Sequence, residues 1–243
     1  RRRTDRIFDE TAVVGVQEFA SRLQAGIVPN YARWADFIAG SEIPKEQEKE
    51  VNLMLDEVTD YVFEILQNSN FSQEINESFL DCALGTGVLL VEEGDAINPI
   101  NFKAVPLPHV CMTSGHDDRV DHIYRKRMIK FSELVVAYPN AEFSEKMIRE
   151  MEKEPDKECE IIEVVYRNHY NTKEEEYHFC AISKKHEHKL YTETYKGTGS
   201  NPYIVYRWSK CAGEVYGRGP LMLALPAIKV ANLTVELILE NAQ

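Results

Sequence analysis

The chain has 243 residues, enough for one large domain or two small ones, and its 44% hydrophobic and 28% charged content excludes wholesale disorder. A formal net charge of −12 argues against a protein that grips nucleic acid over a broad surface, because such binding requires lysine and arginine to neutralise phosphates. It does not exclude a protein past which DNA slides, and no apolar run approaches the roughly 20 residues of a membrane span.

Three helices are predicted in the first third of the chain. Apolar residues recur there at spacings of three and four over residues 5–28, over a second stretch that starts between 41 and 44 and runs to 67, and over residues 72–84. Gly26 and Pro29 end the first helix, and the run 68–70 ends the second. Helix–helix packing is therefore expected in this part.

The middle of the chain changes character. Short runs rich in β-branched and aromatic residues are separated by turn residues and predict strands at 88–91, 102–105, 122–129, 160–169, 177–182, 189–195 and 203–208. Two helical pieces, 132–137 and 144–153, interrupt them. Since strands and helices do not alternate regularly, the expected fold is α+β, with an N-terminal helical layer and a small antiparallel sheet or barrel. The expected division is 1–84, 85–215 and 216–243.

The last quarter combines a glycine-rich turn with an apolar helix. Gly217 and Gly219 are expected to lie where a Cβ would be obstructed, and Pro220 is expected to open the helix. Arg218 is then held out from the chain, where its guanidinium could bind a carboxylate, on a neighbouring subunit in our interpretation. We call residues 216–220 the elbow; its candidate site residues are Tyr216, Gly217, Arg218, Gly219 and Pro220.

The final helix carries one polar stripe on an otherwise apolar circumference, which is typical of a helix packed between neighbours. The polar residues fall at spacings of three and four, and together they are the candidate wetted face of the helix. This polar stripe consists of Lys229, Asn232, Glu236, Glu240 and Gln243. Pro226 either kinks this helix or is its true first residue.

Several motifs resemble sites of chemistry. Residues 85–87, Gly-Thr-Gly, superficially match a methyl-donor loop, but a helix precedes them and a strand follows, so a helix C-cap is the expected structure. Residues 197–200 lack the Gly-Lys-Ser/Thr ending of a phosphate loop. His186 and His188, with His178 nearby, lie in a lysine-rich turn that reads as solvated. No metal, cofactor or catalytic centre is expected.

The cysteines and the basic clusters are not expected to form a metal, disulfide or DNA site. The five cysteines contain no C-x-x-C pair and read as reduced thiols. The basic clusters 1–3 and 125–127 are expected to be a solvated end or inter-subunit salt-bridge partners rather than a DNA site.

The chain resembles the head-to-tail connector (portal) proteins of short-tailed bacteriophages. The most specific match is the elbow, Tyr-Gly-Arg-Gly-Pro, followed by Ala-Leu-Pro-x-Ile-Lys-x-x-Asn at 224–232. Weaker matches occur in the expected order at 9–12, 19–29, 34–37, 84–89 and 106–110. This resemblance implies a portal wing that ends in a stem-directed helix, with clip, returning stem, tunnel loop and crown following residue 243. It also makes the polar stripe of the final helix the candidate channel face.

The family resemblance also implies partners. Copies of the chain, typically twelve, would form a ring at one capsid vertex, in contact with capsid and scaffold proteins, the packaging motor (terminase) and tail adaptors. Double-stranded DNA would pass through without sequence-specific binding, and ATP would be consumed by the motor. The protein would be a non-enzymatic virion component with no membrane partner, present in the host cytoplasm before assembly.

Two alternatives remain open at this point. A methyl-donor-dependent methyltransferase-like enzyme would bind an adenosyl ligand at Gly85–Gly87. A generic phage adaptor or scaffold-binding module would bind capsid or tail protein as a monomer without ring contacts.

Overall fold

The computed structural model describes residues 6–171 and 173–242 and has the predicted α+β fold. Two compact units are formed by residues 1–104, 204–212 and 217–243, and by residues 105–203 and 213–216. The helices are α1 (Thr11–Ile27), α2 (Lys45–Asn68), α3 (Phe71–Cys82), α4 (Phe131–Ala137), α5 (Glu145–Lys153) and α6 (Pro220–Asn241). The strands are β1 (Thr86–Glu93), β2 (Ile100–Ala104), β3 (Val110–Ser114), β4 (Val120–Lys130), β5 (Glu158–Arg167), β6 (Glu176–Ser183), β7 (His188–Lys196) and β8 (Tyr203–Arg207).

The first unit is built around α3. This helix buries Ile75, Phe79 and Cys82, which its 3.6-residue period places on one face, against α1 and β1. The sheet has the order β2-β1-β8, and β1 and β2 are antiparallel. The core therefore lies between the helices and this three-stranded sheet.

The outer edge of β2 is closed by a side chain. Asn70 Nδ2 donates to the Phe102 carbonyl at 2.8 Å, and Phe102 N–H donates to Asn70 Oδ1 at 2.9 Å. Two residues further along, Ala104 N–H donates to Glu74 Oε2 at 2.6 Å. The residues around the start of α3 thus occupy backbone groups that a further strand would otherwise bind.

The second unit contains a five-stranded antiparallel sheet of order β3-β4-β5-β6-β7. Alternate residues of the strands point to one face, as the period of two requires, and α4 and α5 pack there. Phe131, Leu134 and Met147 from the two helices join Ile129 and Ile161 from the sheet in this core. Ser144 caps α5 by accepting the Met147 N–H.

The predicted elements are confirmed with two differences. The first helix begins at Thr11 rather than residue 5, because the Phe8 and Asp9 amides bond the Asn232 side chain. β3 was not predicted from the sequence pattern, although the family match at 106–110 lies beside it. The second unit has the expected antiparallel sheet. The three-part division of the chain remains a prediction.

Candidate functional site

The elbow is held by backbone hydrogen bonds to the turn between α3 and β1. The carbonyl groups of Ala83, Leu84 and Gly85 in this turn accept from amides near the far end of the chain. Leu221 N–H donates to the Ala83 carbonyl at 3.2 Å and Gly219 N–H to the Leu84 carbonyl at 3.1 Å. Trp208 N–H donates to the Gly85 carbonyl at 2.9 Å. The start of α6 is thereby fixed to the helical layer of the first unit.

Gly217 and Gly219 lie where a side chain cannot be placed, as predicted. A Cβ on Gly217 would be 2.1 Å from the Gly85 carbonyl oxygen, and one on Gly219 would be 2.2 Å from the Ala83 carbonyl oxygen. Neither glycine has a positive φ, so close backbone approach is the reason for both. Pro220 is the first residue of α6, as expected, with Gly219 at the N-cap.

Arg218 lies between these glycines as an exposed residue. Its N–H donates to the Ser209 carbonyl at 2.8 Å, and this hydrogen bond fixes the backbone at Arg218. Arg218 also has a further interaction within the described chain. A role for Arg218 between subunits stays a prediction.

Tyr216 belongs to the second unit, where it caps the edge of β3. Met112 N–H donates to Tyr216 Oη at 3.1 Å, and the hydroxyl in turn donates to the Val110 carbonyl at 3.4 Å. Partial burial raises the pKa of this phenol. The sequence offered no signal for this partner, since it lies over a hundred residues away.

The α6 helix is apolar and exposed along its whole length. No residue of Pro220–Asn241 is buried, and large side chains such as Leu223, Val230 and Ile238 are 87%, 66% and 61% exposed. Pro226 lies inside the helix and cannot donate to the Met222 carbonyl. A contiguous exposed apolar surface of this kind marks an interaction site.

One expectation about this segment is wrong. The 22-residue helix has a mean hydropathy of 1.7 over an 18-residue window and could cross a membrane by length and composition alone. Counting unbroken apolar residues missed it because Lys229 and Glu236 interrupt the run without outweighing the leucines, isoleucines and alanines around them. Core helices of soluble proteins meet the same criterion when buried, and this window is not buried in the described chain.

The polar stripe of α6 is described except for Gln243, which lies outside the described residues. Asn232 is engaged within the chain: its Oδ1 accepts the Phe8 N–H at 2.7 Å and its Nδ2 donates to the Arg6 carbonyl at 3.1 Å. Lys229 and Glu240 are exposed, and Glu236 is half-buried. That the stripe faces a channel stays a prediction.

The glycine loop that resembles a methyl-donor site is filled by the chain itself. Helix α3 precedes it and β1 follows, as the C-cap interpretation predicted. Gly85 has φ of +139° and directly faces Gly217. A Cβ on Gly87 would lie 2.3 Å from Cζ of Tyr206, whose hydroxyl donates to Ser78 Oγ at 2.6 Å. Gly85 and Gly87 therefore allow close packing within the chain.

The three histidines of the β6–β7 region bind separate partners. His178 Nδ1 is 3.0 Å from Thr194 Oγ1, and His188 Nε2 is 2.8 Å from the Glu142 carbonyl. His186 differs from the solvated loop that was expected, because its side chain is only 5% exposed and its Nδ1 is 2.9 Å from Ser183 Oγ. Within residues 6–171 and 173–242, no group of three His, Cys, Asp or Glu side chains could hold a metal ion.

The two arginines of the basic cluster 125–127 pair within the chain. This differs from the solvated end or inter-subunit salt bridges that were expected. Strand alternation turns Arg125 and Arg127 to the buried face, where their Nη1 atoms lie 3.4 Å and 2.6 Å from the Glu163 carboxylate. Tyr138 Oη donates to the same carboxylate at 2.6 Å, and burial with the nearby Glu163 charge raises the pKa of this phenol. Lys126 points to the other face and pairs with Glu160. The cluster 1–3 lies outside the described residues.

Glu163 is a residue that sequence reasoning missed. Its side chain is 4% exposed, and β5 places it between the buried Ile161 and Val165. The signal was present: an acidic residue at an inward position of a strand requires cationic partners, and two arginines at i and i+2 on a neighbouring strand can supply them.

Comparison with known protein families yields one finding. The model described as "Bacteriophage head to tail connecting protein" matches residues 1–243. Curated protein sequences give no significant match.

Proposed function

The chain belongs to the family of bacteriophage head-to-tail connecting proteins, and we propose that it is a portal subunit that forms a ring at one capsid vertex. The ring serves DNA packaging, DNA ejection and tail attachment. The family is structural, which makes the protein a virion component that associates with phage capsid and tail components. In this proposal the packaging motor, scaffold protein and tail adaptors are its further partners, and assembly begins in the host cytoplasm.

The exposed α6 helix carries the proposal. A 22-residue apolar helix without a buried residue would be unfavourable in water, since each large side chain gains free energy when it is covered. The amides of Gly219 and Leu221 at its start donate to carbonyl groups of the turn after α3, and Gly217 and Gly219 lie in close backbone contact with the same turn. The direction of α6 from the helical layer is therefore set by the backbone. A fixed apolar helix suits repeated packing between identical copies.

The net charge of −12 is compatible with a conduit for DNA. An acidic surface repels phosphate, so it favours passage over adhesion. In this proposal the polar stripe of α6 supplies the wetted face, chiefly through Lys229, Glu236 and Glu240, because Asn232 already bonds the segment 6–9.

The proposal is tested on the full-length protein by electron microscopy and native mass spectrometry. Closed rings of a single copy number, typically twelve in this family, are expected at micromolar concentration. A monomer that binds capsid or tail protein would contradict the ring and support the adaptor alternative. Retention of an adenosyl ligand through purification would contradict a purely mechanical role.

A further inference from the structure

An open groove runs along α6 on the side that faces α1, within the first unit. Its volume is about 440 Å³ and its lining is mostly apolar. Its lining includes large residues such as Phe19 and Ile228, and it also includes small ones: Ala12 and Gly15 on α1, and Ala224, Ala227 and Ala231 on α6. A Cβ added to Gly15 would meet no atom within 4 Å, so none of the residues 6–171 and 173–242 fills this space.

Another side of α6 carries large side chains. At 3.6 residues per turn, Met222, Leu223, Val230, Leu233 and Leu237 fall in one sector of about 100°, centred about 120° around the helix from the three groove alanines. We call this sector the outer face. Its side chains are between 48% and 87% exposed. Alanines of α6 therefore line the groove, while large exposed side chains lie about a third of a turn away on the same helix.

We propose that the groove of one copy receives the outer face of α6 from the next copy. The proposal rests on the ring function proposed above and names the contact that builds the ring. A contact between two different surfaces of the same chain is heterologous, and repetition of such a contact closes into a ring when its rotation allows. Large side chains inserted between alanines and a glycine would restore the close packing that the groove lacks.

The charges at the edges of the two surfaces agree with this occupant. Asp9 lies at the rim of the groove, and its side chain accepts the Thr11 hydroxyl at 2.9 Å. Lys229 is exposed beside the outer face. The two surfaces are thus complementary in charge as well as in side-chain size.

A lipid bilayer is the alternative occupant of an apolar helix, and the residues of α6 favour protein. Lys229 and Glu236 lie in the middle of the helix, where a bilayer makes charged groups costly.

Cysteine pairs test the contact in the full-length protein. A tagged Ala227→Cys chain is mixed with an untagged chain carrying Met222→Cys, Val230→Cys, Leu233→Cys or Leu237→Cys, and the mixture is oxidised. Leu225→Cys is the matched control, because it is 47% exposed but lies in neither sector. The parent chain, with its five cysteines, gives the background.

The expected result is a disulfide between Ala227→Cys and at least one outer-face cysteine, at least tenfold above the Leu225→Cys control. Rings that form without this disulfide would overturn the groove contact and leave the ring function intact. The absence of both rings and disulfide would overturn both proposals. Bonds only between two Ala227→Cys chains would indicate a symmetric contact and overturn the proposal.

A second pair of variants fills the groove without cysteine chemistry. Ala227→Leu is expected to reduce ring formation at least tenfold with the melting temperature of the monomer unchanged, while Ala242→Leu, outside the groove, leaves rings intact. Equal ring formation by both would overturn the proposal. Flotation of the parent chain with phosphatidylcholine vesicles would overturn it in favour of the bilayer.

Discussion

Gly85 and Gly217 face each other so closely that a Cβ on either residue would lie 2.1 Å from the carbonyl oxygen of the other. One glycine follows α3 and the other precedes α6, 132 positions apart by their numbering (217 minus 85). The obstructing atoms belong to backbone, which cannot move aside as a flexible side chain can. The direction of α6 therefore depends on the absence of a Cβ at both Gly85 and Gly217.

Gly217→Ala is expected to destabilise the protein by about 3 kcal/mol, because the added methyl group forces the two backbone segments apart. Urea unfolding followed by circular dichroism measures the change. Gly26→Ala is the matched control, since a Cβ there meets no atom within 4 Å. Its stability should be unchanged or higher by up to about 1 kcal/mol. Equal stability of the two variants would show that the contact is not as tight as described.

Arg218→Ala is expected to weaken ring assembly while thermal unfolding of the monomer stays nearly unchanged. The backbone around Arg218 is held by its N–H bond to Ser209 and by the flanking glycines, so loss of the side chain should leave the fold intact. Sedimentation and electron microscopy measure rings, and calorimetry measures the monomer.

Arg22→Ala is the control for Arg218→Ala, since the Arg22 side chain is 82% exposed and pairs with Glu18 one turn away. It should change neither quantity. Normal rings combined with a monomer that melts several degrees lower would identify Arg218 as an internal structural residue.

Glu163→Gln is expected to cost about 3 kcal/mol of folding free energy, because it leaves Arg125 and Arg127 half-buried without their carboxylate. Glu160→Gln removes a carboxylate from the same strand, but on the opposite face, where it pairs with Lys126 and Lys184. Surface pairs of this kind contribute little. Chemical unfolding measures the free energy of unfolding of both variants. Similar losses would mean that the buried ion pairs of Glu163 stabilise the fold no more than the surface pairs of Glu160.

Acidification is expected to remove the stabilisation that Glu176 provides. The Asn171 and Asn168 side-chain amides donate to its carboxylate at 2.7 Å and 3.2 Å, and they lower its pKa. A carboxyl group with a lowered folded-state pKa stabilises the fold above its unfolded-state pKa, and this contribution is lost as the pH falls through the folded-state value.

The stability difference between the parent chain and Glu176→Gln should therefore be present at pH 6 and shrink at about pH 3. Glu174→Gln, an exposed neighbour, serves as control and should follow the parent at both values. A difference that persists undiminished in acid would mean that the amide bonds do not depend on the charge.

Local patterns account for most of the predicted fold. Apolar spacing located α2 and α3, and β-branched runs located seven of the eight strands, because one buried face imposes a period on the sequence. The Pro220 start of α6 and the obstructed glycines of the elbow were also predictable, since each follows from the residue's own backbone chemistry.

The contacts that complete the site could not be predicted in this way. Asn232 bonds residues 6–9, Tyr216 bonds β3, and Gly217 faces Gly85, each across more than a hundred residues. Such pairs leave no local period. The start of α1 was misplaced for the same reason, since the Asn232 side chain binds amides that a longer helix would have used.

The Asn70 amide, bonded to both the N–H and the carbonyl of Phe102, also limits how copies of this protein can join. A bare strand edge accepts almost any other strand, and unrelated chains or several registers can add to it. Here the β2 edge is already occupied, so a neighbour cannot extend the sheet on that side. At this edge, copies cannot associate by strand addition, which could continue without limit, and only contacts between surfaces of matching shape remain possible there.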